Sequence, residues 1–172
     1  MKQIKWFERK FDFSKEQNIF PSIIERLKGT PILLDYKVST ISDLDLKVKF
    51  QNSWSIQDNI GHLIDLEPIW LGRLQDILRG DEMMRHIDLE NTKTNLANHN
   101  SRSIQDLLND LSNIRGVLVS NLEKLTTEEV FKSSLHTRLN TPMSIMDLFL
   151  FVAEHDDHHL ARINEIIEAL KK

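Results

Sequence analysis

Apolar residues recur at three- and four-residue steps along most of this chain, which is the period of an α-helix. Four long stretches carry the pattern, over about residues 21–41, 53–79, 101–125 and 141–170. The alternating valine-rich runs that are typical of strands do not occur. The pattern therefore predicts an all-α fold, a four-helix bundle in which residues 1–172 form one domain.

Residues that start or stop helices give the ends of the predicted helices. In the first stretch Pro31 lacks an amide proton, so we expect it to kink the helix or to restart it with Thr30 as the N-cap. Gly80 is the expected C-cap of the second stretch. The fourth stretch is predicted to begin with Thr141 as the N-cap and Pro142 in the first turn.

A long polar connection, residues 80–100, joins the second and third predicted helices, with one short helical turn expected around Met83 and Met84. Such a connection either carries function or crosses to a distant corner of the bundle, and the crossover is the simpler interpretation. A further short helix is predicted after the third stretch, because residues 126–129 have the Thr-x-x-Glu pattern of a capping box.

Composition narrows the class of protein. The 172 residues include 22 Lys and Arg against 26 Asp and Glu, a net charge of -4, which argues against nucleic-acid binding through a basic face. The absence of cysteine excludes a disulfide, a zinc–thiolate site and a thiol nucleophile. No run reaches the roughly 18 apolar residues of a membrane span, and the N-terminus lacks a secretory signal pattern. We therefore expect a cytoplasmic protein with no membrane partner.

The fourth stretch carries two histidines in its apolar stripe. Its apolar residues step through Ile145, Leu148 and Val152, and the same step then falls on His155 and His159. At ~100° per residue the two imidazoles face the core one turn apart. A pair of imidazoles at this spacing can bind one divalent metal ion. The alternative is a pair of core histidines that hydrogen-bond to acids or carbonyl groups, and the pattern alone leaves both open.

A metal site needs a third ligand from another helix, and His62 is the candidate. It lies at the edge of the apolar arc of the second stretch, a position that suits a ring in a cleft between helices or a solvated surface histidine. Gly61 beside it permits close approach of a neighbouring segment. The other histidines in loops or at helix ends, His86, His99 and His136, are predicted to lie at the surface.

Two acids fall on core-facing positions, Glu67 in the second stretch and Asp156 in the fourth. A buried carboxylate needs a partner, and the simpler interpretation is a salt bridge from Glu67 to Arg73 or Arg162. The alternative is an acceptor that orients a metal-bound imidazole, or a general base. Residues 155–159 match the HExxH metalloprotease helix in spacing but have Asp156 in place of the glutamate, so metal-dependent hydrolysis through Asp156 is a further alternative.

Several segments resemble one known family. Residues 54–63, with the sequence WSIQDNIGHL, are similar to the W-S-x-x-(E/D)-x-x-x-H-L pattern that opens its second helix. Residues 143–148 and 152–159 are similar to its closing helix, where an H-x-x-x-H pair follows a Ser-x-x-Asp-like start. Residues 6–11 and 26–31 resemble one branch of it. In this order and at this separation, the motifs resemble those of the DinB/YfiT-like superfamily of bacterial four-helix-bundle metalloenzymes.

The resemblance implies one divalent metal ion, zinc, nickel, iron or manganese, held by three histidines: His62, His155 and His159. It also implies that His158 lies beside the last ligand or serves as an alternative ligand. Where the family often continues H-H-x-G-Q, this chain has Ala161 and Arg162. Arg162 is therefore a candidate for binding an anionic substrate group, or for pairing with Glu67.

The resemblance further implies a metal-dependent transferase, because characterised relatives use low-molecular-weight thiols such as bacillithiol or mycothiol. The partner is then a small-molecule substrate, and any thiol comes with it because the chain has no cysteine. The alternatives are a metal-dependent hydrolase and a non-catalytic, metal-stabilised binding or dimerisation module. Phe149, Leu150 and Phe151 cannot all face one core, so we also expect a homodimer.

Overall fold

The computed structural model of the protein describes residues 18–51 and 53–171, together with Glu8. The helices and strands within these residues are α1 Phe20–Val38, α2 Ile56–Arg79, α3 Thr92–Ala97, α4 Ile104–Leu122, α5 Thr127–Val130, β1 Ser133–His136, β2 Thr141–Ser144 and α6 Ile145–Leu170, with 3-10 turns at Asp45–Lys47 and His99–Ser101. Most of residues 6–11, which resemble one branch of the family, lie outside the described residues. That residues 1–172 form one domain therefore stays a prediction.

Helices α1, α2, α4 and α6 form a four-helix bundle, which confirms the predicted fold class. Helix α1 packs against α4 and α6, and α2 packs against the same two helices. Helices α1 and α2 therefore lie at opposite corners of the bundle. The predicted crossover between α2 and α4 is wrong, because these two helices are direct neighbours and the connection between them folds back along α2.

Helix α1 continues through Pro31 without a restart, and the prediction of Thr30 as an N-cap is wrong. The proline leaves the carbonyl of Leu27 without its helical amide donor, and Nη1 of Arg115 donates to that oxygen over 3.1 Å. The Thr30 hydroxyl instead donates to Asp156 over 2.8 Å. Side chains of α4 and α6 thus form hydrogen bonds with the part of α1 around Pro31.

Helix α6 begins at Ile145, three residues after Pro142, which was predicted to lie in the first turn of this helix. Ser144 is its N-cap and forms a capping box with Asp147, while Thr141 and Pro142 belong to a β-hairpin in which β2 pairs antiparallel with β1. The prediction of Thr141 as the N-cap is therefore wrong, because strand pairing holds these residues extended. The expected helical turn around Met83 is also wrong, since this residue forms a parallel β-bridge with Leu135 in β1.

Two predicted helix ends are confirmed. Gly80 caps the C-terminus of α2 with a φ of 79°, which glycine adopts readily. Thr126 and Glu129 form the predicted capping box of α5. Phe149 and Phe151 are both buried inside the bundle, so they give no reason to expect a homodimer, and the homodimer stays a prediction. None of the described helices has the length and apolarity to span a membrane.

Candidate metal centre

Three buried imidazoles meet between α2 and α6. His62, His155 and His159 are 4–5% exposed. One ring nitrogen of each lies within 4.8 Å of the other two, and the Nε2 atoms of His155 and His159 are 3.3 Å apart. The structure thus brings together all three residues that the resemblance indicated as metal ligands, including His62, which the helical period alone placed only at the edge of the apolar arc.

The spacing of these nitrogens fits a single divalent ion. Nitrogens that bind a tetrahedral ion at about 2.0–2.1 Å lie roughly 3.3–3.4 Å from one another. The 3.3 Å between His155 and His159 matches this value. The rings of His62 and His159 have centroids 4.9 Å apart, and a ring nitrogen of His62 lies within 4.8 Å of a ring nitrogen of each of the other two histidines.

The proton of His62 is held away from the other two histidines. Nδ1 of His62 lies 3.1 Å from the Thr94 hydroxyl oxygen. That hydroxyl donates its own proton to Asp65 over 2.9 Å, so its oxygen accepts from the imidazole. His62 therefore carries its proton on Nδ1 and presents the lone pair of Nε2 to the centre, which is the form that binds a metal.

The proton of His159 is held in the same way. Its Nδ1 lies 2.8 Å from the side-chain oxygen of Asn59. The amide nitrogen of Asn59 donates to the carbonyl of Ser55 over 2.7 Å, which fixes the orientation of the amide. The oxygen of Asn59 therefore accepts from Nδ1 of His159, and Nε2 is left to face His155.

His99 supports this arrangement from the connection before α4. Its Nε2 lies 2.9 Å from the Asp65 carboxylate, and its ring packs on Gly61, where a Cβ atom would lie 2.2 Å from the ring. His99 is 4% exposed, so its predicted surface position is wrong. His99 is buried because Gly61 in α2 leaves space for its ring and because the Asp65 carboxylate accepts a hydrogen bond from it.

Burial keeps His62 and His159 neutral. Desolvation lowers the pKa of His62 to about 4, with smaller contributions from His99 and His158, and against the opposing effect of Asp65. Desolvation also holds the pKa of His159 well below its ordinary value. Neutral imidazole is the form that binds a divalent ion, so at neutral pH no proton has to leave these two rings before a metal binds.

The histidines lie in the wall of a cavity of about 140 Å³. Its apolar walls include Trp54, Trp70 and Phe151, and residues 87–89 and 91 of the connection close one side. His158 also lines it, with its ring centroid 5.3 Å from that of His159. The connection between α2 and α4 therefore forms part of the site, in contrast to the simpler interpretation of it as a crossover.

The two buried acids pair with an arginine that the sequence analysis missed. Arg115 of α4 is 1% exposed and donates to Glu67 from Nε over 2.8 Å and to Asp156 from Nη1 over 2.5 Å. The predicted salt bridge of Glu67 with Arg73 or Arg162 is therefore wrong. Asp156 is 1% exposed and is held by Arg115 and Thr30, and it does not line the cavity.

The remaining candidate residues differ in whether they line the cavity. Arg162 lies outside it, where its guanidinium pairs with Glu165 over 2.9 Å and stacks on Phe50. His136 was predicted at the surface, but it is 1% exposed and lines the cavity, because β1 places it against Arg73. His86 is exposed, as predicted.

Comparisons with known proteins agree with this fold. A family model described as the DinB superfamily matches residues 26–163. The chain is similar in structure to YfiT from Bacillus subtilis, described as a probable metal-dependent hydrolase with an unusual four-helix bundle topology. The TM-score is 0.78 at 22% sequence identity, over 95% of this chain and 93% of that one, a likeness of fold. No curated protein matches the chain.

Proposed function

The chain belongs to the DinB superfamily, and from that premise we propose that it is an enzyme whose divalent metal ion is held by His62, His155 and His159. The observation that carries the proposal is the approach of one nitrogen from each of these imidazoles to within 4.8 Å of the others, in the wall of a cavity. Three protein ligands leave a coordination position open for substrate, whereas purely structural sites are usually closed by a fourth side chain.

The ion, when bound, lowers the pKa of a thiol or water and polarises the substrate. The surrounding side chains do the rest of the work. Thr94 and Asn59 hold the Nδ1 protons of two ligands, and so fix which nitrogen faces the centre. Trp54, Trp70 and Phe151 make the wall apolar and displace water from the substrate.

The reaction we propose first is the transfer of a group to or from a low-molecular-weight thiol, in line with the resemblance to thiol-dependent transferases. The chain has no cysteine, so the thiol enters the cavity as a substrate. A second candidate is metal-dependent hydrolysis, because the fold neighbour from Bacillus subtilis is described as a probable metal-dependent hydrolase. Both reactions would take place at the metal site formed by His62, His155 and His159.

An activity screen separates these two reactions. The protein is loaded in turn with zinc, nickel, iron and manganese, and is offered an aryl halide with a small thiol, or an activated ester without one. We expect product that depends on the thiol, is abolished by His159→Ala and is retained by His86→Ala, since His86 is exposed and outside the cavity. Ester hydrolysis of equal efficiency without thiol would favour the hydrolase.

The non-catalytic alternative makes a different prediction for the same proteins. A metal that only stabilises the bundle raises the melting temperature by mass action but supports no turnover. We therefore compare melting with and without a chelator alongside the screen. A large loss of melting temperature on chelation, together with no product for any metal, would contradict the enzyme and leave a metal-stabilised binding module.

A further inference from the structure

A buried arginine without a carboxylate partner lines the same cavity as the histidines. Arg73 of α2 is 1% exposed, and among the described residues it forms no salt bridge. Its Nε donates to the carbonyl of Arg85 over 3.2 Å, and its Nη1 lies 3.0 Å from Nε2 of His136. Its Nη2 is buried with no hydrogen-bond partner in the described part of the chain. A buried cation of this kind requires an acceptor.

His136 cannot accept hydrogen bonds from all the donors that surround it. Its Nδ1 faces the backbone amides of Arg138 and Leu139, at 3.3 and 3.2 Å, while its Nε2 faces Nη1 of Arg73. A neutral imidazole has only one nitrogen that accepts, so it cannot satisfy both sets of donors. Burial, together with the charges of Arg73 and Arg138, lowers the pKa of His136 to about 4, so the ring is neutral at physiological pH.

A second cation lies at this end of the cavity. Arg138 lines the cavity, with its guanidinium carbon 5.9 Å from the centre of the Phe151 ring. Among the described residues, the lining includes one carboxylate, that of Asp88, and its oxygens accept hydrogen bonds from the backbone amides of Glu90 and Thr92. Asp76, one turn from Arg73, is paired with Arg79 and Arg85. Arg73, whose Nη2 has no hydrogen-bond partner in the described part of the chain, and Arg138 beside it place positive charge at this end of the cavity, which favours the binding of a negative charge.

We propose that Arg73 and Arg138 bind the carboxylate group of a small substrate whose reacting end lies at the three histidines. This inference rests on the proposed function, and it names the substrate class. Trp70 lies between the two ends of the site, with its ring centroid 6.0 Å from that of His155 and 5.6 Å from the guanidinium carbon of Arg73. The apolar part of the substrate packs along Trp70, and the carboxylate accepts from Nη2 of Arg73.

The number of guanidinium donors that are free on Arg73 and the volume of the cavity favour a carboxylate ligand over a phosphate. Two of the three guanidinium nitrogens of Arg73 are already engaged, which leaves few donors for the three terminal oxygens of a phosphate group. A carboxylate needs fewer donors, because one of its two oxygens can accept a charge-assisted hydrogen bond from Nη2 of Arg73. The cavity of about 140 Å³ is comparable to apolar cavities of about 150 Å³ that hold a benzene-sized molecule.

Binding of benzoate tests the proposal, with benzamide as its neutral isostere and inorganic phosphate as the competing anion. Trp54 and Trp70 line the cavity, so their fluorescence reports binding. The full chain is titrated as purified and again after chelation, because benzoate binding at Arg73 does not require the metal. We expect benzoate to bind at least about tenfold more tightly than benzamide, which is the size of one hydrogen bond to a charged group.

Substitutions assign the binding to the two arginines. Arg73→Met is expected to weaken benzoate binding by about tenfold to a hundredfold, and Arg138→Met by several-fold. Arg102→Met is the matched control, because Arg102 is paired with Asp110 and does not line the cavity. If Arg73→Met does not fold by circular dichroism, Arg138→Met decides.

Three results would overturn the carboxylate site: equal binding of benzoate and benzamide, tighter binding of phosphate than of benzoate, or unchanged benzoate binding in both arginine variants. The metal proposal is judged separately. Benzoate binding after chelation survives a failure of the metal proposal, whereas a metal-loaded protein that does not discriminate benzoate from benzamide contradicts the carboxylate site alone.

Discussion

Nδ1 of His62 lies 3.1 Å from the hydroxyl of Thr94, although the two residues are 32 positions apart in the chain. Thr94 belongs to α3, in the connection between α2 and α4. Its hydroxyl proton goes to Asp65, so its oxygen accepts the proton of the imidazole. A short helix in a polar connection therefore determines which nitrogen of His62 faces the other two histidines.

This contact predicts the effect of Thr94→Val. Valine has nearly the same shape but cannot accept the imidazole proton, so His62 loses its fixed tautomer and orientation. We expect metal affinity to fall by about tenfold to a hundredfold, the usual effect of removing a group that orients a ligand. Competition with a chromogenic chelator measures the affinity. Thr127→Val is the control because Thr127 is exposed in α5, and equal affinities in the two variants would contradict the role of Thr94.

The packing of His99 on Gly61 predicts opposite effects for two glycine substitutions. In Gly61→Ala the added Cβ would lie 2.2 Å from the His99 ring, so the ring must move away from Asp65. We expect lower stability and several-fold weaker metal binding. Gly116→Ala is matched to it, since Gly116 is in α4 with nothing within 4 Å of an added Cβ. There we expect a gain of about 0.5–1 kcal/mol. A gain from both substitutions would contradict the packing argument.

The ion pairs of Arg115 predict a large loss of stability in Arg115→Met. The substitution leaves the carboxylates of Glu67 and Asp156 buried without their cation. Removing one partner of a buried pair costs about 3–5 kcal/mol, whereas Arg102→Met removes an exposed pair with Asp110 and costs about 0–1 kcal/mol. Urea unfolding of the two variants measures the difference. Equal losses in both would show that the buried cluster does not stabilise the bundle.

The lowered pKa values of two histidines predict acid sensitivity of the metal-free protein. The pKa values of His62 and His136 are about 4 in the folded protein, against about 6.5 in an unfolded chain. Between these values the unfolded chain binds protons that the folded protein does not, so stability falls as the pH falls. For His62 the full effect is up to about 3 kcal/mol.

Urea unfolding in the presence of a chelator, at about pH 7, 6 and 5, checks this slope. The variants His62→Gln and His136→Gln should each show a shallower slope, because each removes one of the titrating groups. Stability that is constant from about pH 7 to 5 would contradict the burial of neutral imidazoles.

The helical period was sufficient to locate part of the site. It places His155 and His159 on the core-facing side of α6, because burial on a helix recurs every three or four residues. It does not distinguish a ligand at the edge of the arc from a surface residue, so the assignment of His62 depended on the family motif. The cleft that buries His62 is made by α3 and α6, which the pattern along α2 cannot report.

The burial of Arg115 could have been predicted from the sequence. It lies four residues after Leu111 and three before Leu118, on the apolar stripe of α4, which is the position of a buried cation for the two buried acids. His99 and His136 carried no such signal. His99 follows α3 and contacts Asp65, which is 34 residues away in the chain. His136 lies in β1 and contacts Arg73, which is 63 residues away. The burial of both histidines therefore depends on tertiary contacts.

The start of α6 shows the limit of local signals. Thr141-Pro142 and Ser144 with Asp147 both match the pattern of a helix start. Only the second is used, because residues 141–144 pair with residues 133–136 as a hairpin. Strand pairing between separate segments decided between two sequence patterns of similar quality.

The metal content of the purified protein tests the central claim most directly. The protein is prepared without a histidine tag or a nickel column, and its metals are quantified together with those of His159→Ala and of His86→Ala, whose substituted histidine is exposed. We expect about one divalent ion per chain in the native protein and in His86→Ala, and none in His159→Ala. A folded native protein that carries no metal and takes none up, or equal metal content in His159→Ala, would contradict the account.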